Sequence, residues 1–85
     1  MIITITMVKE KYADQIISKI GGEICRSYDG KIDIQFINLK GISVEITPRY
    51  LIIKRNSSVI RIPSTSYHGM HMIKEPSKNF MNKPE

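Results

Sequence analysis

Eighty-five residues with 41% hydrophobic content make one small domain, which buries roughly 60% of its unfolded surface and leaves no room for a second core. Cys25 is the only cysteine, which excludes an intrachain disulfide framework and a cysteine-built zinc cluster and fits a reducing compartment. The net charge of +5 is unevenly placed: residues 1–46 carry six basic and six acidic side chains, so the whole excess lies C-terminal to Ile46.

The chain opens with a strand, because Ile3, Ile5 and Met7 alternate with Thr4 and Thr6 in the period-2 pattern of one buried and one more polar face. That alternation, with no basic leader or small-residue cleavage site, is wrong for a signal segment, and no apolar run approaches the roughly 20 residues of a membrane span. A soluble, cytoplasmic protein with no membrane partner is expected. From about Lys9 the period lengthens: Tyr12, Ala13, Ile16, Ile17 and Ile20 share one side of a helix, which Gly21-Gly22 ends.

Residues 23–28 and 31–37, joined by Asp29-Gly30, predict a hairpin with a type I′ turn. Direct pairing sets Tyr28 opposite Lys31, Arg26 opposite Asp33 and Ile24 opposite Gln35 on a solvated outer face. The inner face then holds Cys25 and Ser27 against Ile34 and Ile32. Ile42, Val44 and Ile46 point inward along a further strand, and Pro48, which lacks an N–H, separates that strand from the next. Seventeen isoleucines against two leucines and three valines favour sheet throughout, although an AT-rich coding genome produces the same bias.

Residues 49–55 and 59–63 form a second hairpin around Asn56-Ser57-Ser58. A two- or four-residue loop puts Leu51, Ile53, Ile60 and Ile62 on one face and Tyr50, Ile52, Lys54 and Arg61 on the other. A three-residue loop instead groups Arg49, Arg55 and Arg61 with Leu51, Ile53 and Val59, since a one-residue slip exchanges the faces. The first register buries more aliphatic surface and is preferred. Residues 67–73 suit a last short strand, and residues 74–85, polar with Pro76 and Pro84, a flexible tail. The expected architecture is α+β: an antiparallel meander of about five to six strands with one helix packed on it, order βαβββββ, in a single domain over residues 1–73.

No residue pattern spells a reaction. His68 and His71, interleaved with Met70 and Met72, have the composition of a soft-metal site, but no carboxylate or cysteine stands near them, and an ordinary polar segment explains them. Cys25 reads as a buried structural thiol. Ser57 and Ser58 are turn residues, Asp33 and Glu45 suit a solvated sheet face, and no nucleophile elbow or phosphate loop is present. A non-enzymatic protein without cofactor or metal is expected.

The informative feature is the run from Ile46 to Lys74, which contains five basic residues and no carboxylate. Lysine and arginine neutralise phosphates with release of counterions, and exposed tyrosines stack on unpaired bases. Lys54, Arg55 and Arg61 are the foremost candidates for anion contact, followed by Arg49 and Tyr50, with Lys40 or Lys74 in support and Tyr67 as a second aromatic. RNA or single strands are favoured over duplex DNA, because the helix carries mainly Lys and Asp rather than base-reading residues, and the aromatic consensus of an RNA-recognition motif is absent. The plain alternative for these cations is protection of an exposed ribbon from edge-to-edge pairing. The rival function is a protein-binding inhibitor or adaptor acting through the basic face or a sheet edge, and a homo-oligomer formed through strand edges is compatible with both.

The Ile/Lys/Asn-rich texture, the short length and the segment His68-Gly-Met-His-Met-Ile-Lys74 resemble the small basic accessory proteins of T4-like phages, among them RNA-binding factors that inhibit a host toxin–antitoxin ribonuclease. The resemblance is one of texture along the whole chain, has no diagnostic motif and transfers no residues. It implies a host-virus interaction, counter-defence by RNA-assisted binding to a host toxin or nuclease.

Overall fold

In a computed structural model that describes residues 1–73, strand β1 (Ile2–Lys9) passes directly into helix α1 (Glu10–Lys19). The expected tail 74–85, with Lys74, lies outside the described residues. The helix forms where the apolar spacing changes, and its buried side is the one the spacing gives: Ala13, Ile16 and Ile20 are buried, with Tyr12 and Ile17 packed at their margin. It ends where the N–H groups of Ile20 and Gly21 both donate to the Ile16 carbonyl, at 2.8 and 2.9 Å. Gly21 and Gly22 then turn the chain at φ +110° and +107°. A Cβ on Gly22 would stand 2.7 Å from the Phe36 ring, so the helix exit passes over that ring only because the side chain is missing.

The remaining strands are β2 (Glu23–Tyr28), β3 (Lys31–Ile37), β4 (Ile42–Ile46), β5 (Tyr50–Arg55), β6 (Ser58–Pro63) and, after a 3-10 turn at Ser64–Ser66, β7 (Gly69–Ile73). The α+β class and the antiparallel pairing are as expected, and residues 69–73 do dock as a last strand. The single meander is not. Seven strands divide into a four-stranded sheet, order β2-β3-β1-β7, and a three-stranded sheet, order β4-β5-β6. The break falls at residues 38–41, where Asn38 (φ +50°) and Gly41 (φ +75°) redirect the chain. Pro48 separates β4 from β5 as expected: it sits in the tight turn of the hairpin they form, where its missing N–H costs no ladder bond. Thr47 closes that turn: its N–H donates to the Tyr50 carbonyl at 2.8 Å, and its Oγ1 exchanges 3.0 Å bonds with the Tyr50 backbone.

One core joins the two sheets. Ile3, Ile5, Val8, Ile32, Ile34 and Phe36 from the first, Leu51, Ile53, Ile60 and Ile62 from the second, and the apolar side of α1 form a continuous buried cluster. Each such side chain contributes about 1.5–3 kcal/mol by leaving water. Ile42 and Val44 pack against the cluster, whereas Ile46, expected to point inward, is 56% exposed at the sheet's end.

Three local departures matter for what the surface displays. Met7 was expected beside Ile3 and Ile5 on the buried face. It adopts φ +53° in a bulge between the Ile5–Ile34 and Val8–Ile32 pairs, and Val8 is buried in its place. Its N–H donates to Asp33 Oδ1 at 2.7 Å, while the Tyr28 hydroxyl donates to Oδ2 at 3.0 Å. Asp33 is therefore buried and engaged rather than solvated, because a bulged backbone N–H needs an acceptor that the ladder no longer supplies.

The second departure is in the β2–β3 hairpin. Tyr28 pairs with Lys31 and Arg26 with Asp33 as expected, but a bulge at Cys25 shifts Ile24 onto Ile34 and Glu23 onto Gln35. The turn also differs from type I′, since positive φ is confined to Gly30 (+79°) and Asp29 keeps a negative one. The third is a consequence: Cys25 is exposed rather than buried, and all six residues of β2 are exposed.

Candidate nucleic-acid interface

The β5–β6 hairpin carries the sequence-predicted site, and its loop is the two-residue Asn56-Ser57, with Arg55 paired to Ser58 and Asn56 in the left-handed region at φ +56°. This is the register that hides Leu51, Ile53, Ile60 and Ile62. Alternation from those four fixes the opposite face. Tyr50, Ile52 and Lys54 on β5 share it with Val59 and Arg61 on β6, in the cross-strand pairs Ile52–Arg61 and Lys54–Val59. Lys54 and Arg61 are exposed diagonal neighbours. Tyr50 and Val59 stand 41% and 44% exposed, so the ribbon offers two cations on a partly apolar, aromatic-bearing surface.

Arg55 does not belong with them. It lies on the inner face, in the cross-strand row of Ile42 and Ser58. Its Nη1 donates to the Ile20 carbonyl at 2.8 Å and its Nε to the Lys40 carbonyl at 3.1 Å. A guanidinium at the carbonyl end of α1 satisfies an orphan acceptor and complements the helix dipole. Arg55 is thus a clamp between the helix end, the 38–41 connection and the second sheet. Lys40 meets that clamp through its backbone.

Arg49 is exposed in the β4–β5 turn, and its carbonyl accepts the Ser64 N–H at 2.8 Å. The pairing of β4 with β5 also brings a carboxylate to the face: Glu45 pairs with Ile52, in one row with Arg61. From strand spacing it stands about 10 Å from Arg61 across the sheet. The basic character is therefore concentrated along β5, β6 and the Arg49 turn and stops at β4. Tyr67 is half-buried against the core and lies away from the ribbon, beyond the 3-10 turn.

A second basic region is hidden in the sequence. Lys9 at the end of β1 pairs directly with Lys31 at the start of β3. Beside them Arg26 lies with its guanidinium 5.8 Å from the centre of the Tyr28 ring and donates to the Tyr28 hydroxyl at 3.4 Å. That hydrogen bond first, and the Tyr28 and Asp33 charges after it, raise the Arg26 pKa above its ordinary value. A pocket of about 140 Å³ opens next to the two lysines, with Tyr67 and His68 on its wall. The segment-by-segment charge sum concealed this cluster, because Lys9 and Lys31 are balanced by carboxylates in sequence. Only the β1–β3 pairing brings the two lysines together.

The remaining candidates carry little chemistry. Partial desolvation, and then the Asp33 and Glu23 charges, push the Cys25 thiol above its ordinary pKa, which keeps it protonated and weakly nucleophilic at neutral pH. His71 pairs with Thr4 on β1, and the His68 N–H donates to the Thr6 carbonyl at 2.8 Å. Among the described residues no three His, Cys, Asp or Glu side chains gather as a metal-binding group, and no helix is long and apolar enough to cross a membrane. No family model, curated protein or solved structure matches the chain.

Proposed function

We propose that the protein is a small non-enzymatic module that binds single-stranded nucleic acid, RNA foremost, through the outer face of the β5–β6 ribbon. The observation that carries this reading is the diagonal juxtaposition of Lys54 and Arg61 on one face with Tyr50, exposed on strands that contain no carboxylate. Lys54, Arg61 and the nearby Arg49 supply the charge that holds phosphates, and Tyr50 supplies a ring face on which an unpaired base stacks. An exposed ribbon with two or three cations and no base-edge readers binds backbone, so affinity should be salt-sensitive and weakly sequence-dependent.

The test is a salt titration of a labelled single-stranded RNA. About three phosphate contacts give log affinity a slope near −2 against log salt. Lys54→Glu with Arg61→Glu should lower affinity at least tenfold and reduce the slope by about 1.4, two contacts' worth, with the far-UV circular dichroism unchanged. Binding that is indifferent to this double variant removes the ribbon from the interface.

A second reading has its own observation. β7 is an edge strand of the first sheet, and its Met72 and Ile73 are 42% and 49% exposed, which suits addition of a partner's strand. A protein complex formed there would survive salt that strips RNA from the ribbon. The resemblance to phage accessory proteins fits either reading, with a host toxin or nuclease as the protein partner.

A further inference from the structure

We infer that the pocket between the Lys9–Lys31 pair and the Tyr67–His68 segment is a binding site for a phosphate group, separate from the β5–β6 ribbon and independent of its function. The lysine pair is costly as it stands. Lys9 and Lys31 are direct cross-strand partners, and like charges placed opposite one another in a sheet destabilise it. The β1 bulge at Met7 and the docking of β7 do not relieve this, since β7 leaves β1 at the Thr6–Gly69 pair. Beyond that pair the chain of residues 65–68 crosses the open flank of β1 and closes the pocket wall.

The wall chemistry suits an oxyanion. Besides Lys9 and Lys31, the lining includes His68 and the hydroxyl-bearing residues Thr65, Ser66 and Tyr67, and among the described residues no carboxylate lines it. The nearest buried acid, Asp33, already spends its two oxygens on the Met7 N–H and the Tyr28 hydroxyl, so it does not neutralise the lysines by direct contact. Lysine is a mobile point charge that meets phosphate from any side, and an imidazole N–H with neighbouring hydroxyls can reach the remaining corners of a tetrahedral anion. The volume of about 140 Å³ lies well below the roughly 300–1,000 Å³ of pockets that enclose whole drug-sized ligands. It fits one phosphate group, with anything attached to that group left outside.

The experiment uses the full chain, ¹⁵N-labelled, titrated with inorganic phosphate against chloride at constant ionic strength. Amide resonances of Lys9, Lys31, Tyr67 and His68 should move saturably with millimolar phosphate. Lys9→Gln with Lys31→Gln should weaken that response at least tenfold, while Lys54→Glu with Arg61→Glu leaves it intact. The single variant Lys31→Gln supplies an independent sign: without phosphate its melting temperature should exceed the wild type's, because the repulsion is gone, and the phosphate-dependent rise in melting temperature should be smaller than the wild type's. No saturable shift, or one that survives the double lysine variant, means an adventitious ion only and overturns the site. Two sources of the group are then separated with oligonucleotides of one sequence bearing a 5′-phosphate or a 5′-hydroxyl. Pocket shifts seen only with the phosphorylated end assign the site to nucleic-acid termini, whereas shifts from inorganic phosphate alone assign it to a free small anion.

Discussion

At the scale of single residues, like side chains do unlike work, and Arg55 is the clearest instance. Lys54 and Arg55 are adjacent in sequence, yet strand alternation sends them to opposite faces, one to solvent and the other to the carbonyls of Ile20 and Lys40. Truncating Arg55 leaves the helix-end carbonyl without its donor and removes a charge-assisted bond. Arg55→Ala should therefore cost about 1–2 kcal/mol, near the lower end for hydrogen bonds to charged groups because the site is only partly buried. Arg55→Lys should recover only part of it, since an ammonium lacks the planar fork that spans two acceptors. Urea unfolding followed by circular dichroism measures both, and an Arg55→Ala midpoint equal to the wild type's would show that the clamp is ornamental. The RNA salt slope of folded Arg55→Ala should stay unchanged, which separates this residue from Lys54 and Arg61. None of this is visible to a count of cations; it needed the hairpin register and the position of the helix end together.

At the scale of elements, legibility followed the strength of the apolar pattern. The helix and the β5–β6 register were readable because each has a dense aliphatic set, Ala13–Ile16–Ile20 and Leu51–Ile53–Ile60–Ile62, that only one arrangement buries. The partition into two sheets was not readable, since Pro48 and Gly41 are both breakers and local chemistry does not say which one ends a sheet. The bulge at Met7 was hidden for a similar reason: alternation through Ile3, Ile5 and Met7 looks unbroken until Asp33 claims the Met7 N–H. β2 alternates like a half-buried strand yet is exposed at every residue, so its attachment rests mainly on backbone bonds to β3. An edge strand without buried side chains opens locally at low free energy. Amide hydrogen exchange should accordingly show β2 at least tenfold less protected than β1, about 1.4 kcal/mol in opening free energy, β1 being flanked by β3 and β7. Equal protection in the two strands would mean that β2 is held by something other than its ladder.

At the scale of the molecule, charge and fold are divided along different lines. The sequence is neutral up to Ile46 and basic after it, whereas the structure divides at residues 38–41, which gives the basic sheet Glu45 and leaves the first sheet its Lys9–Lys31 pair. Two separate cationic surfaces result, one on each sheet. The core is not divided: Ile5 and Ile34 of the first sheet and Leu51 and Ile53 of the second are all fully buried in one cluster that includes Ile16 of the helix. A chain this short has no surplus of apolar surface from which to build two independent cores, so neither sheet should persist without the other. Leu51→Ala tests this, because its side chain belongs to the second sheet alone. The lost contacts and residual cavity should cost about 2–5 kcal/mol, and the loss should appear equally in both sheets. Following urea unfolding by NMR, the Ile5 and Ile53 resonances should share one midpoint in the wild type and one lower midpoint in the variant. A midpoint that falls for Ile53 while Ile5 keeps its own would mean two cooperative units, and with them a ribbon able to detach or rearrange on binding without disturbing the lysine pocket.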